Sequence, residues 1–137
     1  MKKVKSIFYV IAFLYCYSAT SQQLVQNISD IYRLKDNETQ FINMSLKDLL
    51  KEIKPEIKTV LVMNGEGFFY FKFLPIDQLR KEEGSLEDRV SLLIYVKGNL
   101  EWKWEERPKN RETIWTKEDV EKYGDLIVRK IGVVSKN

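Results

Sequence analysis

The stretch IKTVLVMNGEGFFYFKFL, residues 57–74, decides the fold. β-Branched and aromatic residues on either side of a tetrad that contains two glycines read as a β-hairpin. A four-residue loop, Asn64 to Gly67, pairs Val62 with Phe69 and Val60 with Phe71 and sets Phe73 on the same side, so one face of the hairpin is core. The opposite face carries Leu61, Met63, Phe68 and Tyr70 near the turn, then Thr59 and Lys72. Glycine pairs after a strand also occur in phosphate-binding loops, but those lead into a helix, and this one leads into a second strand.

Upstream, SLKDLLKEI (residues 45–53) places Leu46, Leu49, Leu50 and Ile53 on one helical stripe, with Ser45 at the N-cap, Asp48 three residues on and Pro55 beyond the end. Downstream, residues 75–89 form a charged excursion whose charges nearly cancel. The adjacent pair Glu82 and Glu83 reads as solvated rather than catalytic. RVSLLIYV (residues 89–96) then returns as a strand apolar on both sides, which suits the middle of a sheet.

LEWKW (residues 100–104) alternates, with Leu100, Trp102 and Trp104 on one side and charges on the other. It is expected to form a second hairpin with residues 90–96. A three-residue loop ending at a left-handed Asn99 sets Val96 by Leu100, Ile94 by Trp102 and Leu92 by Trp104. A two-residue loop would set Tyr95 by Trp102 instead, leaving apolar residues against charges, so hydrophobic register favours the first. Trp115 precedes Thr116, an N-cap with Asp119 three residues later, and packs as a staple against Val120 of a helix KEDVEKY that ends at Gly124 in a left-handed cap. DLIVRKIGVV (residues 125–134) closes the fold as a strand, with Ile127, Ile131 and Val133 on one face and Leu126 and Val128 on the other. The expected class is α+β: a largely antiparallel sheet of about five strands with two main helices packed on it, preceded by a cleaved signal peptide.

That peptide is read from residues 1–21, where three lysines precede an apolar run from Ile7 to about Tyr17 that is shorter than the roughly 20 residues a membrane span needs. Small residues at Ala19 and Ser21 set cleavage before Gln22. Residues 22–40 leave a short helix and a tether both open, and residues 41–137 form the single α+β domain. Of 23 basic and 20 acidic residues, only Lys2, Lys3 and Lys5 fall before position 22, so the processed chain carries 20 of each sign and is neutral. Its basic isoelectric point belongs to the leader, and with it goes the electrostatic case for nucleic acid. Cys16 leaves as well; preceded by Phe13, Leu14 and Tyr15, it lacks the small residues that lipidation needs.

There is no histidine in the chain and no cysteine after position 16. This excludes histidine-assisted serine and cysteine nucleophiles and histidine zinc or haem sites from the processed protein. No calcium-loop spacing is present either. The expectation is therefore an exported protein, periplasmic or extracellular, with no enzymatic activity, no cofactor, no nucleic-acid partner and no integral membrane segment after cleavage. It would bind a protein partner or serve as an accessory of the bacterial cell envelope. A carbohydrate-binding module with exposed tryptophan and tyrosine rings is the alternative. The candidate partner or ligand surface is Leu61, Phe68, Tyr70, Tyr95, Trp102 and Trp104.

Overall fold

The computed structural model describes residues 22–135, and the expected signal peptide, residues 1–21, lies outside them. Four strands, β1 (Thr59–Met63), β2 (Phe68–Lys72), β3 (Ser91–Lys97) and β4 (Ile127–Val134), form an antiparallel meander in the order β1-β2-β3-β4. Five helices accompany them: α1 (Tyr32–Asp36), α2 (Glu38–Phe41), α3 (Leu46–Leu50), α4 (Ile76–Arg80) and α5 (Lys117–Tyr123). The class is α+β, and the sheet has four strands where the sequence suggested about five.

The hairpin forms in the expected register, Val62 opposite Phe69 and Val60 opposite Phe71, around the loop Asn64 to Gly67. Gly67 takes a left-handed φ of +69°, and its carbonyl receives the amide of Val96 at 2.9 Å, tying the turn to β3. The two helices read from the sequence are present. Ser45 caps α3 by accepting from the Asp48 amide at 3.3 Å. Thr116 and Asp119 form a reciprocal capping box at the start of α5. Gly124 is needed for a different reason than expected. Its φ of −62° is right-handed, but a Cβ there would lie 2.2 Å from the carbonyl oxygen of Val120 and 3.0 Å from Cβ of Lys47, where α3 and α5 meet.

Residues 22–40 are packed rather than a tether, and are helical from Ile28 onward. A 3₁₀ turn at Ile28–Ile31 leads into α1, and Val25, Ile31 and Leu34 are fully buried in the same core as the sheet. Val25 also pairs in parallel with Ile53, through Val25 N to Glu52 O and Lys54 N to Val25 O, each 2.9 Å.

The expected fifth strand is the main correction. Leu100 to Lys103 has no strand pairing, and Trp104–Glu106 is a 3₁₀ turn. The edge of β3 that this segment was to occupy is taken by β4, which arrives some 30 residues later. Trp102 instead has its backbone satisfied by one side chain: Asn64 Nδ2 donates to Trp102 O at 2.7 Å, and Trp102 N donates to Asn64 Oδ1 at 2.8 Å. The amide thus imitates a strand neighbour at the end of β1. None of the expected pairs Val96–Leu100, Ile94–Trp102 and Leu92–Trp104 forms, although Leu100 and Trp102 are buried.

β4 holds a second correction. Val96 pairs with Val128 but Tyr95 pairs with Lys130, so Arg129 is one extra residue in the ladder. This bulge resets the alternation, and Val128 joins Ile131 in the core instead of facing away from it.

One face of the sheet is closed. Val60, Val62, Phe69, Phe71, Leu92, Ile94, Val96, Val128 and Ile131 are buried there beneath Ile31, Leu34, Phe41, Leu46 and Leu49 of the helical layer and beneath the tryptophan segment. Phe69 is the hub of the aromatic part, with Phe71 stacked at 5.6 Å and Trp115, Tyr123 and Trp102 presenting edges at 5.7, 5.7 and 6.4 Å.

Both outer edges of the sheet are interrupted. On β1, Val60 N donates to Thr113 O at 2.7 Å. On β4, the amide and carbonyl of Val128 bond to Met44 and Asn43, each at 2.9 Å, and Ile131 N donates to Glu38 Oε2 at 2.7 Å. The Glu38 carboxyl is held below its ordinary pKa, first by the Lys35 ammonium and then by that amide.

Candidate functional site

The other face of the sheet is open toward the β1–β2 turn and covered at Thr59 and Ser91, which are buried, and the register arranges it in three cross-strand rows. Met63, Phe68, Tyr95 and Lys130 make the first; Leu61, Tyr70, Leu93 and Gly132 the second; Thr59, Lys72, Ser91 and Val134 the third. Leu61, Phe68, Tyr70, Leu93 and Tyr95 are half-buried, held at their flanks by one another, while Met63 and Val134 are 52% and 46% exposed. Gly132 contributes no side chain, so Leu93 stands uncovered at the middle of the β4 side.

Cations line this face, and no carboxylate occupies any of the row positions. Lys72 Nζ lies 4.5 Å from the ring centre of Tyr70 and donates to Ser91 Oγ at 2.9 Å. The bulge turns Arg129 onto the same side, where its guanidinium carbon is 5.0 Å from the ring centre of Tyr95. Arg129 Nε and Nη2 donate to the carbonyls of Val96 and Glu66 at 3.3 and 3.0 Å. Lys130 Nζ is 5.1 Å from the same tyrosine ring, and Phe68 packs on it with ring centres 4.8 Å apart. These are cation–π and cross-strand contacts of modest size, about 0.5–1 kcal/mol each at exposed sites.

At one corner the 75–90 excursion folds over the third row. It closes a pocket of about 140 Å³ lined by Tyr70, Lys72, Leu79, Glu82, Arg89 and Ser91. Arg89 is steadied by the carbonyls of Glu83 and Gly84, each at 3.4 Å.

Four of the six surface residues expected from the sequence, Leu61, Phe68, Tyr70 and Tyr95, are thus brought together, and two are not. Trp102 is 2% exposed on the closed side, tilted against Tyr123 at 5.2 Å and against the edge of Trp104 at 5.6 Å. The guanidinium of Arg107 caps its outer side, with Cζ 4.2 Å from the ring centre. Arg107 is in turn fixed by the buried Asp119, with Nη2 to Oδ2 at 3.0 Å, and by the carbonyls of Ile114 and Glu112 at 2.7 and 3.2 Å. Because one side chain ties the tryptophan to the capping box of α5, the LEWKW segment is an anchored part of the core. Alternation along the hairpin already marked Lys72 as a member of the second face. Lys130 followed only with the ladder of β4, and Arg129 was hidden by the bulge.

Among the described residues, no group of three or more acidic, histidine or cysteine side chains is placed to hold a metal ion, and no helix is long and apolar enough to cross a membrane. The open face presents half-buried apolar side chains beside ammonium and guanidinium donors. No protein-family model matches this chain, and no match was found among curated proteins or among solved structures.

Proposed function

We propose that the chain is a small exported, non-enzymatic module that captures a protein partner on the open face of its sheet, as an accessory component of a bacterial cell envelope. The observation that carries this reading is the contrast between blocked edges and an unblocked face. Val60, Val128 and Ile131 spend their outward backbone groups on Thr113, Asn43, Met44 and Glu38, which disfavours strand addition. Met63 and Val134 meanwhile remain exposed and Leu61 and Leu93 partly so, while of the helices described only α4 reaches this face, at its corner. The carbohydrate alternative is left with fewer rings. Trp102 and Trp104 pack into the closed side, and Lys72, Arg129 and Lys130 stand over Tyr70 and Tyr95, where a sugar would stack.

The test is capture from envelope extract by the chain produced in full and processed by its host, compared with a variant carrying Leu61→Asn and Leu93→Asn. The variant is expected to show a lower denaturation midpoint, because both leucines are half-buried, yet to remain folded by circular dichroism and to lose the captured band. Undiminished capture would overturn the assignment of this face.

A further inference from the structure

We infer that the occupant of the open face is an acidic protein segment, one that sets carboxylates around aliphatic side chains and seats one carboxylate in the pocket lined by Lys72 and Arg89. The inference rests on the docking reading above and adds the chemistry of the partner.

Charge complementarity is the first support. Lys72, Lys130 and Arg129 lie on or beside a face with no carboxylate in any row, whereas the chain from residue 22 onward is neutral, so the positive surface is a local arrangement. The geometry of the cations narrows the class. A cation lying over Tyr70 and two over Tyr95 occupy the ring faces that a neutral sugar or a nucleobase would need. Each cation has more N–H groups than the contacts above use, and carboxylates are their strongest common acceptors. Leu61, Met63, Leu93 and Val134 between them gain most from a ligand with extended apolar side chains, which a polysaccharide does not carry. A second copy of the chain would bring these cations against their own kind. At the corner, Lys72 and Arg89 share the pocket with Glu82, which leaves a net positive lining in a space of about 140 Å³, enough for one carboxylate-bearing side chain.

The probe is a labelled random copolymer of glutamate, alanine and tyrosine, titrated into the full processed chain at low and moderate salt. Binding that weakens with salt is expected. The matching lysine copolymer, polygalacturonate and oligothymidylate should each bind about tenfold more weakly or worse. Lys72→Glu with Lys130→Glu should cost the glutamate copolymer about tenfold or more, and Lys72→Glu alone should cost more than Lys130→Glu alone because only Lys72 lines the pocket. Lys72→Gln with Lys130→Gln, which removes charge without adding any, should lose affinity in the same order and serves if the reversals unfold. Equal binding of polygalacturonate or oligothymidylate, indifference to both charge variants, or a dimer dissolved by Leu93→Asn would each overturn the inference. Should Leu61→Asn with Leu93→Asn abolish envelope capture while charge reversal leaves copolymer binding untouched, the acidic partner fails and the docking face stands. Capture that survives the asparagine pair removes the docking reading itself.

Discussion

Phe68 and Phe69 are neighbours in β2, of identical chemistry, and they live in different environments. Phe69 is fully buried among four aromatic rings, while Phe68 leans on Tyr95 at the margin of an open surface. The same holds for Leu61 against Val62 and for Leu93 against Ile94. Along β1 to β3 the core face is apolar throughout, whereas the other mixes six apolar residues with Thr59, Lys72, Ser91 and Lys97, so the pattern already favours one face. The rest of the chain follows that preference. Among the described residues, α1, α2, α3, α5 and the tryptophan segment settle on one side, and the 75–90 excursion packs at a corner of the other. An apolar face left open among the described residues is the feature on which the proposed docking role rests.

The contrast can be broken most sharply at that pair. Phe69→Ala should destabilise the protein by about 3–5 kcal/mol, since the cavity adds to the lost transfer energy; chemical denaturation that found a small change would mean the closed face is not the core described. Asn64→Ala should come next, at about 1–3 kcal/mol, because it leaves the half-buried amide and carbonyl of Trp102 without their partner. Its signature is a red-shifted tryptophan emission, and unaltered fluorescence would refute the anchoring role. Phe68→Ala should cost about 1 kcal/mol or less, the value of a cross-strand aromatic pair, while weakening partner capture; a loss comparable to that of Phe69→Ala would erase the distinction between the faces.

The smallest effect tests the sheet's edge. The depressed Glu38 carboxyl contributes stability that is present above its unfolded pKa and is lost as pH falls through the lower folded value. Glu38→Gln should therefore lower the midpoint at pH 7 and match the parent at roughly two units below the ordinary glutamate value of about 4.3. An equal deficit at both pH values would show that shape, not charge, matters at β4.

The hairpin and its register were legible because a tight loop fixes pairing locally and both strands alternate around it. The cap of α5 was legible for the same local reason. The LEWKW segment misled because alternation describes side-chain direction only, and an irregular segment held by Asn64 shows the same pattern as a strand. Whether it could pair was decided by β4, far away in sequence. Of the candidate surface residues, Leu61, Phe68, Tyr70 and Tyr95 share the open face, while Trp102 and Trp104 lie on the closed side, where their apolar rings pack without the expected pairing. Arg129 could not be placed, since a one-residue bulge leaves no mark in composition or periodicity.

The meander also has a consequence for how the chain reaches its folded state. β1, β2 and β3 stand within 40 residues of one another, and the first pair closes over four residues, a step of about 1–10 μs for hairpins. β3, apolar on both faces, then has one edge unsatisfied until residues 127–134 arrive across the intervening segment. In that interval the molecule offers SLLIYV as a bare template to any neighbour in the same condition. β4 is thus the bolt of the sheet, and a chain cut or stalled before residue 127 would carry an adhesive edge to clump by, however sound the rest of its fold.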